Sequence, residues 1–250
     1  MRWIICSLVF LFFSTMSRAG ELTLNQSLIA ACYQLNVDEV VSTLRQGASV
    51  NARFGDSAYD CPLFRDRWTG ASTPVGAGEW TPLQGLAAAP QLPDPPLNIV
   101  DIWKYPDRVK ALQKAIPPEQ IRRRQQARVI IAHILLSHGC ALNAEDGYGA
   151  TSLYTAVVDG DVNFVRILLN AGANPNTRTG VYIDGPSDTT PLHYASSSIE
   201  LFQLLLKHGA NPLVKDSKGN TPIDWVEMSI DRTFDVIQTK DGWLTQPRTP

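Results

Sequence analysis

Two apolar patterns alternate along this chain. One is a run of bulky residues at helical spacing: Val37, Val40, Val41 and Leu44, and later Val162, Val165, Leu168 and Leu169. Such spacing lays an apolar stripe along one face of a helix. The other is a shorter stretch marked by small residues, with Ala30 and Ala31, Ala87 and Ala88, Ala156, and Ala195. Small side chains suit helices that stack closely. The short stretches open on Thr81-Pro82-Leu83, Thr151-Ser152-Leu153, Thr190-Pro191-Leu192 and Thr221-Pro222-Ile223. A Thr there can cap a helix, and Pro fits the first helical position because its missing N–H costs nothing. The bulky stretches close on Leu44-x-x-Gly47, Leu136-x-x-Gly139, Leu169-x-x-Gly172 and Leu206-x-x-Gly209, where Gly suits the left-handed residue that ends a helix. The pattern predicts helix–turn–helix pairs. No pair of this length buries its apolar side alone, so neighbours must stack into one elongated core.

The two motifs recur out of phase, and Gly139 and Gly172 lie 33 residues apart. Together they resemble the ankyrin repeat, with its T-P-L-H-x-A opening and L-L-x-x-G-A close. The segment Asp146–Arg178 follows the pattern nearly throughout, including Ala156, Gly160-Asp161 and Asn176, and the resemblance runs from Leu22 to about Met228. It implies an all-α ankyrin-repeat solenoid with hairpin fingers. Five units are expected. The first, Leu22–Ala52, has Gln26-Ser27 in place of Thr-Pro. The second is split into Thr81–Ala89 and Pro118–His138. The third is Asp146–Arg178, the fourth Ser187–Lys215, and the fifth, Asp216–Met228, keeps the Thr-Pro-Ile opening but loses the L-L-x-x-G-A close. From Gln26 to Thr221 is 195 residues where four periods need 132, so 63 residues are extra. Trp225 is expected over the last core layer, and the tail from Ser229 to Pro250, poor in apolar residues, is expected to be a loose wrap or partly disordered.

Most of the excess sits in two insertions. Arg53–Glu79 carries Tyr59, Cys61, Phe64, Arg65, Asp66, Arg67 and Trp68, residue types that dominate interface hot spots. Two readings stand side by side: a partner-binding element at the fingers, and a loop whose Phe64 and Trp68 fold back on the stack. The second insertion, Pro90–Glu119, begins extended because of Pro90, Pro93, Pro95 and Pro96. Asp107–Ala115 can form a short helix there, and Trp103 and Tyr105 are expected to anchor the insertion on the convex side. A smaller expansion, Gly180–Asp188, holds Tyr182 and Asp184, with Tyr148 one finger earlier. The resemblance implies that Val158 and Asp159 are contact positions on a first helix.

Composition narrows the function classes. A net charge of −2 over 250 residues argues against nucleic-acid binding through bulk positive charge, and 44% hydrophobic with 18% charged residues excludes wholesale disorder. Met1-Arg2, the apolar run Trp3–Phe13, a polar stretch and the small residues Ser17 and Ala19 have the layout of a secretory signal cleaved after Ala19. The run of 11 residues is short for a bilayer core, which takes roughly 20, so no membrane span is expected in the mature chain. Cleavage removes Arg2, Arg18 and Cys6, leaving 20 basic against 24 acidic residues. Cys32, Cys61 and Cys140 remain, enough for one disulfide and one leftover thiol. A bridge from Cys61 to either of the others would pin the first insertion.

Chemistry is sparse. No metal-ligand spacing, nucleophile motif or phosphate loop is present, and no catalytic residue, metal or cofactor is assigned. His138 and His208 precede helix-ending glycines, and the resemblance makes His193 structural. Arg122, Arg123, Arg124 and Arg128 read as a solvated face, and Asn25-Gln26-Ser27 matches a glycan acceptor. The leading expectation is a non-enzymatic scaffold, periplasmic or secreted and monomeric when unbound, that recognises a protein partner. A more specific version is an immunity protein neutralising a periplasm-acting toxin. The other reading is an enzyme or small-molecule sensor whose site is built by the two insertions from Asp60, Arg65, Asp66 and Arg67.

Overall fold

The structure is a computed structural model and describes residues 23–53, 80–89, 117–180, 186–228, 234–239 and 242–247. The expected signal segment, most of both insertions and Cys61 lie outside the described residues. In chain order the helices are α1 (Leu24–Gln34), α2 (Val37–Arg45), α3 (Pro82–Ala87), α4 (Pro118–Ser137), α5 (Ser152–Val158), α6 (Val162–Asn170), α7 (Pro191–Tyr194), α8 (Ile199–Lys207) and α9 (Pro222–Met228). A 3-10 turn, Ala195–Ser197, extends α7, and strands β1 (Phe234–Thr239) and β2 (Gly242–Pro247) follow α9.

The helices form two rows. Along the inner row α1 packs on α3, α3 on α5, α5 on α7 and α7 on α9; along the outer row α2 packs on α4, α4 on α6 and α6 on α8. The small residues explain the closeness of the inner row. A side chain at Gly85 of α3 would place its Cβ 3.1 Å from the Ile29 carbonyl oxygen of α1. Between the rows runs the core. Leu28, Leu83, Leu153 and Leu192, one from each of four inner helices, are fully buried, as are Val40, Leu135, Leu168 and Leu205 of the outer row. Burial of each is worth about 1.5–3 kcal/mol.

Thr caps the inner helices as the motif predicts. Gln84 N–H donates to Thr81 Oγ1 (3.3 Å) while Thr81 N–H donates to Gln84 Oε1 (2.7 Å), and Thr221 with Asp224 repeats the arrangement. The first helix differs from expectation. Its cap is Thr23, with Gln26 as the reciprocal partner, so α1 has 11 residues against 7 in α5. Followed by Leu24-Asn25, this Thr lacks the apolar residue two positions on that Leu83, Leu153, Leu192 and Ile223 supply to the others. Leu35 then ends α1 with φ 59°, where Gly160 (φ 73°) ends the α5 link. Gly47, Gly139, Gly172 and Gly209, which follow the outer helices, all have positive φ.

Asparagine amides stitch successive loops. Asn51 donates to Gly139 O and accepts from Ala141 N–H; Asn143 accepts from Asn174 N–H; Asn176 donates to Gly209 O and accepts from Asn211 N–H. The first of these links spans 88 residues, so the loops after α2 and α4 touch despite the chain between them. Asn25, read as a glycan acceptor, accepts from Ser49 N–H in the same manner.

Two further expectations need correction. Arg128 is not on a solvated face: its side chain is 3% exposed and pairs with Asp161 at 3.0 Å. It also donates to Ala89 O and lies over the Phe164 ring. One guanidinium thus ties the end of α3 to the start of α6, a partner 33 residues away that helical spacing alone cannot reveal. Arg122 and Arg123 do face solvent, both on Glu119. The tail is not merely a loose wrap: β1 and β2 pair antiparallel, and Phe234 is fully buried against Phe202 of α8. One Phe on the inner face compensates for the low apolar content.

Candidate protein-binding surface

The fingers are built from backbone turns closed by a carboxylate. Asp146 Oδ1 accepts from the N–H groups of Tyr148 and Ala150, both at 2.9 Å, and Asp216 Oδ1 accepts from those of Lys218 and Asn220 at the same distance. Gly149 and Gly219 supply the positive φ that these turns require. In Asp216, burial pushes the carboxyl up, but the Asn220 amide, the Trp225 indole and the Lys218 amide outweigh it and keep the group low. It therefore remains an acceptor.

Neighbouring fingers are bonded to one another. Gly180 N–H donates to Tyr148 O at 2.6 Å, and a Cβ at Gly180 would sit 2.9 Å from that same oxygen, so only glycine fits there. Thr179 and Asp188 close the base of the next finger through Thr189 O and Thr179 O, and Ser217 N–H donates to Ser187 O. Arg53, the last described residue before the first insertion, donates to Glu145 O at 3.1 Å. Arg178 makes the matching bond to Lys215 O. Sequence reading did not single out these two arginines, although Asn51-x-Arg53 and Asn176-x-Arg178 repeat one pattern.

Inner-helix side chains reach the next finger. Gln84 donates to both Ala144 O and Ala150 O, and the Tyr154 hydroxyl meets Thr189 Oγ1 at 3.4 Å. His193 accepts the Thr190 N–H at Nδ1, so its Nε2 carries the proton and donates to Asn220 O. Burial pushes the Tyr154 phenol up and the His193 imidazole down. Both therefore serve as neutral hydrogen-bonding groups, which accords with the structural reading of His193. Tyr194 and Trp225 pack behind them in a tilted contact, with ring centroids 5.2 Å apart. Trp225 is half-buried and donates to Asp216 Oδ2.

Of the residues expected to contact a partner, Tyr148 lies in the finger before α5, and Val158 and Asp159 at the far end of that helix; all three are half-buried. Seven helical residues separate these points by roughly 10 Å. Tyr182 and Asp184 lie outside the described residues, two and four positions beyond Gly180. Tyr59, Phe64, Arg65, Arg67 and Trp68 also lie outside, in the segment that begins after Arg53. Cys32 and Cys140 are free thiols, and burial pushes both up, so neither is activated as a nucleophile. Among the described residues no cluster of three metal-binding side chains occurs, and no helix is long and apolar enough to cross a membrane.

Comparison with known proteins bears on this geometry. The ankyrin-repeat family model matches residues 148–180 and 187–217. These segments are ankyrin repeats. The chain is 28% identical to an ankyrin repeat protein of Fowlpox virus over 109 residues, 42% of this chain and 17% of that one. It is 33% identical to the E3 ubiquitin-protein ligase KEG of Arabidopsis thaliana over 123 residues, 48% of this chain and 7% of the ligase. With the mitochondrial disaggregase of Bos taurus it shares 26% identity over 194 residues, 64% of this chain and 26% of that protein. The chain therefore spans about a quarter or less of each of these relatives. The repeats and the mostly helical stack support an ankyrin-type fold, and ankyrin repeats imply protein partners.

Proposed function

We propose that this chain is a non-enzymatic protein-binding scaffold of five ankyrin-type units that engages its partner along the finger edge and inner helices. The observation that carries this reading is the convergence of chain exits on one finger. Arg53, where the first insertion leaves, bonds to Glu145 at the base of the Tyr148 finger, and Gly180, where the third-to-fourth expansion leaves, bonds to Tyr148 itself. The segments bearing Phe64, Trp68, Tyr182 and Asp184 thus depart beside Tyr148, a grouping suited to one contact surface. The proposal includes export after cleavage at Ala19. It also includes the narrower reading of an immunity protein against a periplasm-acting toxin, which rests on analogy with exported binding proteins of this size.

Affinity capture from the native host tests the proposal. The wild-type chain is expected to retain a stoichiometric protein partner. Phe64→Ala with Trp68→Ala is expected to lose that partner with little change in melting temperature. A large loss of stability with retained partner would instead make these rings packing elements.

A further inference from the structure

Every inner helix but α9 has an outer partner among the described residues: α1 with α2, α3 with α4, α5 with α6, and α7 with α8. Beyond α8 the outer row stops, and the β-hairpin stands there, with β2 against α8 and β1 against α9. Its register pairs Phe234 with Pro247, Val236 with Thr245, and Gln238 with Trp243. Because side chains alternate across a strand, these pairs share one face, and Ile237 with Leu244 belongs to the other. At the apolar positions burial follows that division, while Gln238 and Pro247 at the margins of the inner face are exposed. Phe234 is fully buried and Val236 packs on the core, whereas Ile237 and Leu244 are 40% and 60% exposed. Phe234 meets Phe202 edge to face at 5.4 Å, and Gln203 of α8 donates to Thr245 O.

We propose that residues 234–247 are an end cap: the hairpin substitutes for a missing outer helix and seals the apolar end of the stack at Phe202. In a linear stack each layer is stabilised only by its neighbours, so the cap acts on the last layers and not on the whole molecule. The proposal is independent of any partner. Hydrogen exchange on the full chain tests it. Phe234→Ala is expected to raise amide exchange in α8 and α9 at least about tenfold while leaving α1 and α2 unchanged. Phe234→Leu, which keeps part of the packing, is expected to give a smaller rise confined to the same helices. Ile237→Ser and Leu244→Ser, on the outer face, are expected to leave α8 as in the wild type. Unchanged exchange in α8 after Phe234→Ala would overturn the proposal. So would a rise spread evenly over the stack, or an equal effect from the outer-face substitutions.

Discussion

At the scale of single residues, two buried polar groups carry measurable consequences. His193 is held neutral by burial, although the bond to Asn220 O and the nearby Asp216 carboxylate favour its proton. Unfolding returns the imidazole to its ordinary value of 6.5, so the unfolded chain takes the proton first as pH falls. The stability it contributes is present above about 6.5 and declines below that value. Melting temperature is expected to be lower near about pH 5 than near about pH 7.5. His193→Gln, which installs the amide used at Gln84, is expected to remove that part of the decline; an identical slope in the variant would assign it elsewhere. Arg128 poses the opposite case, a charge kept buried by partners. Arg128→Ala leaves Asp161 buried and unpaired, and a loss of about 3–5 kcal/mol is expected in denaturant titration. A loss under about 1 kcal/mol, the range of exposed pairs, would mean that water reaches Asp161 freely.

Helices and strands show why some elements were legible in the sequence and others were not. Thr81, Thr151, Thr190 and Thr221 announce their helices because capping is local: the donor lies three residues from the acceptor. The glycines after α2, α4, α6 and α8 are legible for the same reason. The Thr23 cap lies three residues upstream of the aligned Gln26, and its Thr23-Leu24-Asn25 lacks the apolar residue two positions on that marks the other openings. The hairpin was missed because its stability comes from one buried Phe meeting α8, a contact that composition does not report. Among candidate contact residues, Tyr148, Val158 and Asp159 can be placed; of the bonds around the Tyr148 finger, Gly180 N–H to Tyr148 O is purely backbone and leaves no side-chain signature, whereas the Arg53 bond to Glu145 O leaves only the short Asn-x-Arg repeat. Helix spacing also yields a test. Replacing a helix-interior Gly with Ala ordinarily gains about 1 kcal/mol. Gly85→Ala is expected to destabilise instead, since its Cβ would press on Ile29 at 3.1 Å from the carbonyl and 3.2 Å from Cγ2. A gain in thermal stability would show that α1 and α3 separate without cost.

The whole molecule is a stack whose two long sides differ in kind. The outer row exposes ordinary helix surface, such as the Arg166–Glu200 pair, which is worth at most about 1 kcal/mol. The finger edge gathers bonded turns, half-buried Tyr148 and the chain at Arg53 and Gly180. Ankyrin repeats at 148–180 and 187–217 make partner binding the general expectation, and we propose the finger edge as the side that binds. Site-directed photo-crosslinking addresses that assignment most directly. A photoreactive residue would be placed in turn at Tyr148 and Val158 on the inner side, and at Arg166 and Gln203 on the outer. The expected result is a single protein adduct from Tyr148 and Val158 and none from Arg166 or Gln203; adducts only from the outer positions, or none from any, would contradict the account.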